Sequence, residues 1–143
     1  MPFDEKRKNV LILGDSVSIG YTPSVAQQLS DVALVQHTPW GGDGGAEETA
    51  YGWQCLDYLL RAPNGEPLVP DVLFFNFGLH NINPNSTIPG QAGPPSEYAP
   101  FLDKIAGKLS EWSKETKAKL IFALTSPMLN SVETDKIVLD STF

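Results

Sequence analysis

The sequence predicts an α/β fold, a parallel sheet with helices on both faces. Three observations carry this. Four short runs are apolar on both faces and close on Gly, Thr, Ser or Pro. Capped or amphipathic segments of helical period lie between them. The alternation of strand and helix is the pattern of βαβ units rather than of hairpins. Right-handed crossovers then leave few topologies. A doubly wound three-layer α/β/α sandwich with strand order 2-1-3-4 is the simplest.

The elements follow in order. Val10-Leu11-Ile12-Leu13 is the first strand and ends at Gly14. Thr22-Pro23 reads as a cap followed by proline at the first helical position, opening a short helix to about Ser30. Val32-Ala33-Leu34-Val35 is the second strand, ending near His37 and Thr38. Trp53, Leu56 and Leu60 then repeat at helical spacing. Glu47 and Glu48 stand in that helix's first turn and Arg61 in its last, which suits the helix dipole.

Val72-Leu73-Phe74-Phe75-Asn76-Phe77 is the third strand and ends at Gly78. Tyr98, Phe101, Leu102, Ile105, Leu109 and Trp112 form the longest amphipathic stripe, with Ser96 as its cap. Leu120-Ile121-Phe122-Ala123-Leu124 is the fourth strand. The proline-rich segment from Gly78 to Pro95 reads as a pocket wall or a stiffened surface loop.

Length and composition bound the function. The chain has 143 residues, 41% apolar and 19% charged, which is one domain and too little for two. Ten basic against 17 acidic residues give a net charge of −7, unlike the basic face of a nucleic-acid binder. No apolar run approaches the roughly 20 residues of a membrane span. A single cysteine, Cys55, excludes an internal disulfide and a cysteine-rich zinc cage. Met1 to Lys8 is polar and runs straight into the first strand, leaving no room for a secretory leader. The chain as written reads as cytoplasmic. Asn85-Ser86-Thr87 matches a glycosylation acceptor and reads as a polar loop that matches by chance.

In such sheets the functional crevice lies beyond the carboxyl ends of the strands. There the sequence gathers Asp15, Ser16 and Ser18, then His37 and Gly41, Gly42, Gly44 and Gly45, then His80, Asn81 and Asn83, then Thr125, Ser126 and Asn130. A serine between a buried strand and a helix presents its hydroxyl to the crevice, with free N–H groups behind it. It suits a nucleophile with an oxyanion hole. The turn Asp15-Ser16-Val17-Ser18 also suits a phosphate or mononucleotide, as in flavodoxin-like binding modules, or a capping turn with no ligand.

Gly14-Asp15-Ser16-Val17-Ser18-Ile19-Gly20-Tyr21 resembles the first block of the SGNH (GDSL) hydrolases. In that family the serine of Gly-Asp-Ser is the nucleophile and follows the first strand. Phe77-Gly78-Leu79-His80-Asn81 resembles the Gly-Leu-His-Asp variant of the family's third block. The resemblance implies a flavodoxin-like α/β/α sheet and a serine esterase acting on an acyl or acetyl ester of a sugar or lipid. It implies Ser16 as nucleophile. It implies an oxyanion hole from the N–H of Ser16, a glycine at Gly45 or Gly44 (Gly42 as a further alternate), His80, and Asn81, which stands in the place of the usual aspartate. A neutral imidazole has one N–H to donate. Asp15 is expected to brace the turn through backbone hydrogen bonds. No metal or organic cofactor is implied.

The family's last block, Asp-x-x-His, is not matched. The chain ends Asp140-Ser141-Thr142-Phe143, and His37 follows the second strand, an unfamiliar direction from which to reach Ser16. Residues 1–143 are therefore expected to form one incomplete domain lacking a C-terminal strand and helix. Turnover is expected to be weak, an inactive remnant is an alternative, and the fourth strand is expected to offer an edge for self-association.

Overall fold

A computed structural model of the chain describes residues 6–39, 45–82 and 95–125. Its strands are β1 (Lys8–Leu13), β2 (Ala33–Thr38), β3 (Val72–Phe75) and β4 (Lys119–Phe122), and its helices are α1 (Ser16–Gln28), α2 (Thr49–Leu59) and α3 (Pro95–Thr116). The sheet is four-stranded, in the order β2-β1-β3-β4. Every pair is parallel. This is the predicted α/β class and the predicted strand order.

Strand β1 sits at the centre, Val10 to Leu13 pairing with Val35 to Thr38 on one side and with Val72 to Phe75 on the other. Its side chains alternate between faces. Leu11 and Leu13 join Leu73 and Phe75 beneath α2 and α3, where Leu56, Leu59, Ile105 and Leu109 complete the larger core. Ile12 turns the other way, toward Val25 and Ala26 of α1 and Leu29 just after it, with Ala33 and Val35 beside it. The three layers follow from that alternation.

Two helix starts differ from the sequence expectation. Helix α1 opens at Ser16, capped by Asp15, and Pro23 lies inside it. Pro23 has no N–H for the carbonyl of Ile19 four residues earlier. The hydroxyl of Thr22 donates to the Ser18 carbonyl, 2.7 Å away. Thr22 is therefore a helix-interior residue that bonds back to its own helix, not a cap. Helix α3 likewise starts at Pro95 rather than after a Ser96 cap. Proline is favoured at the first helical position, where its missing N–H is not needed.

Strand β4 is an edge among the described residues, with Ile121, Phe122 and Leu124 exposed. The Phe122 ring still packs on Phe75 of β3, centroids 5.1 Å apart. No helix among the described residues is long and apolar enough to cross a membrane.

Candidate active site

The site begins where β1 stops. Asp15, 2% exposed, leaves the strand in an extended conformation and caps α1, its Oδ1 accepting from the Val17 N–H at 2.9 Å. This is the bracing role expected of it. Its carbonyl accepts from the Ser18 hydroxyl at 2.6 Å and from the Ile19 N–H at 3.1 Å. Gly14 fits because Ser18 crowds it: a Cβ there would stand 2.6 Å from the Ser18 hydroxyl. Ser16 is the first residue of α1 and is exposed. The N–H groups of a first helical turn have no intrahelical acceptor, and the dipole end there is positive.

Gly45 lies against this turn. It forms an isolated antiparallel bridge with Asp15, and the next N–H, of Ala46, donates to the Gly14 carbonyl at 2.8 Å. Its φ of +67° is left-handed, and a Cβ would run into the Gly14 carbonyl oxygen. Only glycine satisfies both conditions. Gly41, Gly42 and Gly44 lie outside the described residues, as do Asn83, Ser126 and Asn130.

His80 arrives from β3 on a clamped turn. The Phe77 carbonyl accepts from the hydroxyls of Tyr98 (3.2 Å) and Thr125 (2.9 Å). Gly78, at φ +148°, has no room for a Cβ against the Thr125 side chain. A single 3-10 turn, Leu79–Ile82, follows. It places Nε2 of His80 4.0 Å from Oδ2 of Asp15. Asp15, Gly45 and His80 thus meet at the carboxyl ends of β1 and β3, beside Ser16.

No family model matches the chain, and no curated protein matches it.

Asn81 goes elsewhere. It is fully buried, its Oδ1 accepting from the Thr49 N–H at 3.2 Å and its amide donating to the Thr49 hydroxyl at 3.3 Å. Both ends of the amide are committed to the start of α2. His37 is also committed. Its Nε2 lies 2.7 Å from the hydroxyl of Ser18, not of Ser16. Residues two apart on a helix point about 200° from one another. Ser18 spends its one proton on the Asp15 carbonyl, so the tautomer that fits has Nε2–H donating to Ser18. Burial lowers the His37 pKa to about 4, and the Asp15 carboxylate only partly opposes this.

The sequence reading missed Glu47. It lies ahead of α2, whose cap is Glu48, accepting from the N–H groups of Ala50 and Tyr51. Glu47 is held at φ 53°, a left-handed conformation costing a residue with a side chain about 1–3 kcal/mol. Its Oε2 is buried without a hydrogen-bond partner, as is Oδ2 of Asp15. Burial raises the Glu47 pKa, His80 pulls it back, and Glu48 pushes it up. No signal in the sequence separates Glu47 from an ordinary first-turn charge.

A cavity of about 360 Å³ adjoins the site through Asp15 and Leu79, and Val17, Tyr21, Phe74 and Leu124 give it mostly apolar walls. Among the described residues, no cluster of three His, Cys, Asp or Glu is placed to hold a metal ion.

Proposed function

We propose that the chain is a serine esterase of the SGNH type, hydrolysing a carboxylic ester through an acyl-enzyme on Ser16. The observation that carries this reading is the meeting of three segments at one strand end: the Asp15-Ser16 turn, Gly45 bridged to Asp15, and His80 4.0 Å from the Asp15 carboxylate. Ser16 attacks the acyl carbonyl. The N–H of Ser16 and that of a glycine at 45 or 44 bind the oxyanion, and the His80 ring adds a side-chain donor. Such preorganised donors lower the barrier because they need no reorientation as charge develops. We leave Asn81 out of the oxyanion set, because its amide serves Thr49. The apolar cavity beside Asp15 suits the acyl chain or the alcohol of the ester.

A phosphate-binding module is the weaker reading. An anion at this helix start would face the buried Asp15 carboxylate, whose Oδ2 already lacks a donor. The test is release of nitrophenol from nitrophenyl acetate and nitrophenyl butyrate by the chain and by Ser16→Ala. Turnover lost with the serine supports the reading. Turnover equal in both variants contradicts it.

A further inference from the structure

We propose that His80 is the proton acceptor for Ser16, oriented by the carboxylates of Asp15 and Glu47; the inference rests on the serine-esterase reading. Two buried carboxylate oxygens, Asp15 Oδ2 and Glu47 Oε2, have no hydrogen-bond partner. Buried polar atoms are rarely left so, because each has given up its solvation. Both bear on one ring. Asp15 Oδ2 lies 4.0 Å from His80 Nε2, and the Glu47 carboxyl is electrostatically coupled to His80.

A neutral imidazole carries one N–H. Turned toward a carboxylate, that N–H leaves a lone pair on the other ring nitrogen, the form that a general base needs. The 4.0 Å separation is longer than a hydrogen bond, as catalytic contacts often are before substrate closes the site. His37 does not compete for the role, since it serves Ser18.

The step balances. The Ser16 oxygen forms a bond to the ester carbon as its proton passes to His80, and the carbonyl electron pair moves onto oxygen. His80 becomes the side-chain donor only at this point: as an imidazolium it gives the tetrahedral intermediate a charge-assisted hydrogen bond through the N–H it has gained, its first N–H staying with the carboxylate. It then gives its proton to the departing alcohol oxygen as that C–O bond breaks. Water attacks the acyl-enzyme in the same way, passing its proton to His80 and then to Ser16 as the carboxylic acid leaves.

The ionisable groups around the ring, among the described residues, are few. Asp15 at the end of β1 lies 4.0 Å from it, and Glu47 ahead of α2 interacts with it electrostatically. Behind them Asp15 acts on Tyr21 of α1 and His37 of β2, Glu48 acts on Glu47, and Tyr98 of α3 holds the turn at Phe77. His37 sits at about 4, and Tyr21 and Tyr98 are raised from 10.0, so none of these three titrates near neutrality.

The experiment is the rate at which a fluorophosphonate labels Ser16 across about pH 5–9. It uses the full chain, His80→Asn and Glu47→Gln. Asparagine keeps an N–H for the oxyanion and removes the base. Labelling of His80→Asn is expected to fall about 10²- to 10⁴-fold and to lose its rise with pH. Glu47→Gln is expected to fall less, with a changed pH profile. Equal labelling of His80→Asn and the unmodified chain overturns the inference and leaves the esterase reading standing. Failure of the unmodified chain to label at Ser16 overturns both. Amide NMR spectra report whether each variant folds. If His80→Asn does not, an unchanged rate and pH profile in Glu47→Gln overturns the inference, and a changed profile supports it.

Discussion

Asp15 and His80 face each other across the end of the sheet, Oδ2 of one 4.0 Å from Nε2 of the other. They are 65 positions apart in sequence, and parallel pairing of β1 with β3 brings them together. The two oxygens of Asp15 divide their work. Oδ1 holds the first turn of α1, and Oδ2, buried and without a partner, turns to the histidine.

Asp15→Asn separates these duties. Asparagine caps a helix as well as aspartate does, so stability should change by less than about 1 kcal/mol. Reaction at Ser16 should slow at least about tenfold, because a neutral amide no longer orients the ring. Asp15→Ala should slow it similarly and cost about a further 1 kcal/mol for the lost cap. Denaturant unfolding and a labelling rate, measured on the same samples, check both.

Gly45 and Gly78 should fail differently. Alanine at 45 meets a backbone carbonyl at a left-handed φ of +67°, so neither strain nor clash can relax. A loss of at least about 2 kcal/mol is expected from conformation and contact together. Alanine at 78 meets the Thr125 side chain instead. Thr125→Ala should therefore recover part of the loss from Gly78→Ala and none of the loss from Gly45→Ala. A double-mutant cycle in denaturant measures this.

His37 links stability to pH. Its folded pKa, about 4, lies below its ordinary 6.5, so the unfolded chain binds the proton more tightly. The neutral form's contribution is complete above about pH 6.5 and is lost as pH falls toward 4. His37→Gln should flatten that acid limb. Thermal unfolding at several pH values reads the difference.

Much of the fold was legible in the sequence because parallel strands buried on both faces leave continuous apolar runs. Leu11 and Ile12 face opposite cores, and the run between Lys8 and Gly14 reports both. The start of α1 was misread because Thr22-Pro23 carries a local start signal, whereas the helix is already capped by Asp15 and runs through it. The Asp15-Ser16 turn and His80 were legible as residues flanking strand ends. Asn81 and Glu47 were not. The role of Asn81 depends on Thr49, 32 positions away, and that of Glu47 depends on where α2 begins. Neither leaves a local pattern.

Among the described residues β4 is an edge strand that carries Ile121 and Phe122 exposed, with Leu124 beyond it 81% exposed. Unpaired strand edges with apolar side chains pair with other chains. The protein should self-associate as its concentration rises, and Ile121→Lys should reduce this. Light scattering decides: a monodisperse monomer at every concentration contradicts the expectation.

The esterase proposal requires Ser16 to be an activated nucleophile. Peptide mapping of the chain after treatment with a fluorophosphonate tests it most directly. One phosphonyl group is expected, on the peptide containing Ser16 and assigned to that residue by fragmentation, and none in Ser16→Ala. An adduct on Ser18 or another residue, or no adduct on a chain shown to be folded, would contradict it.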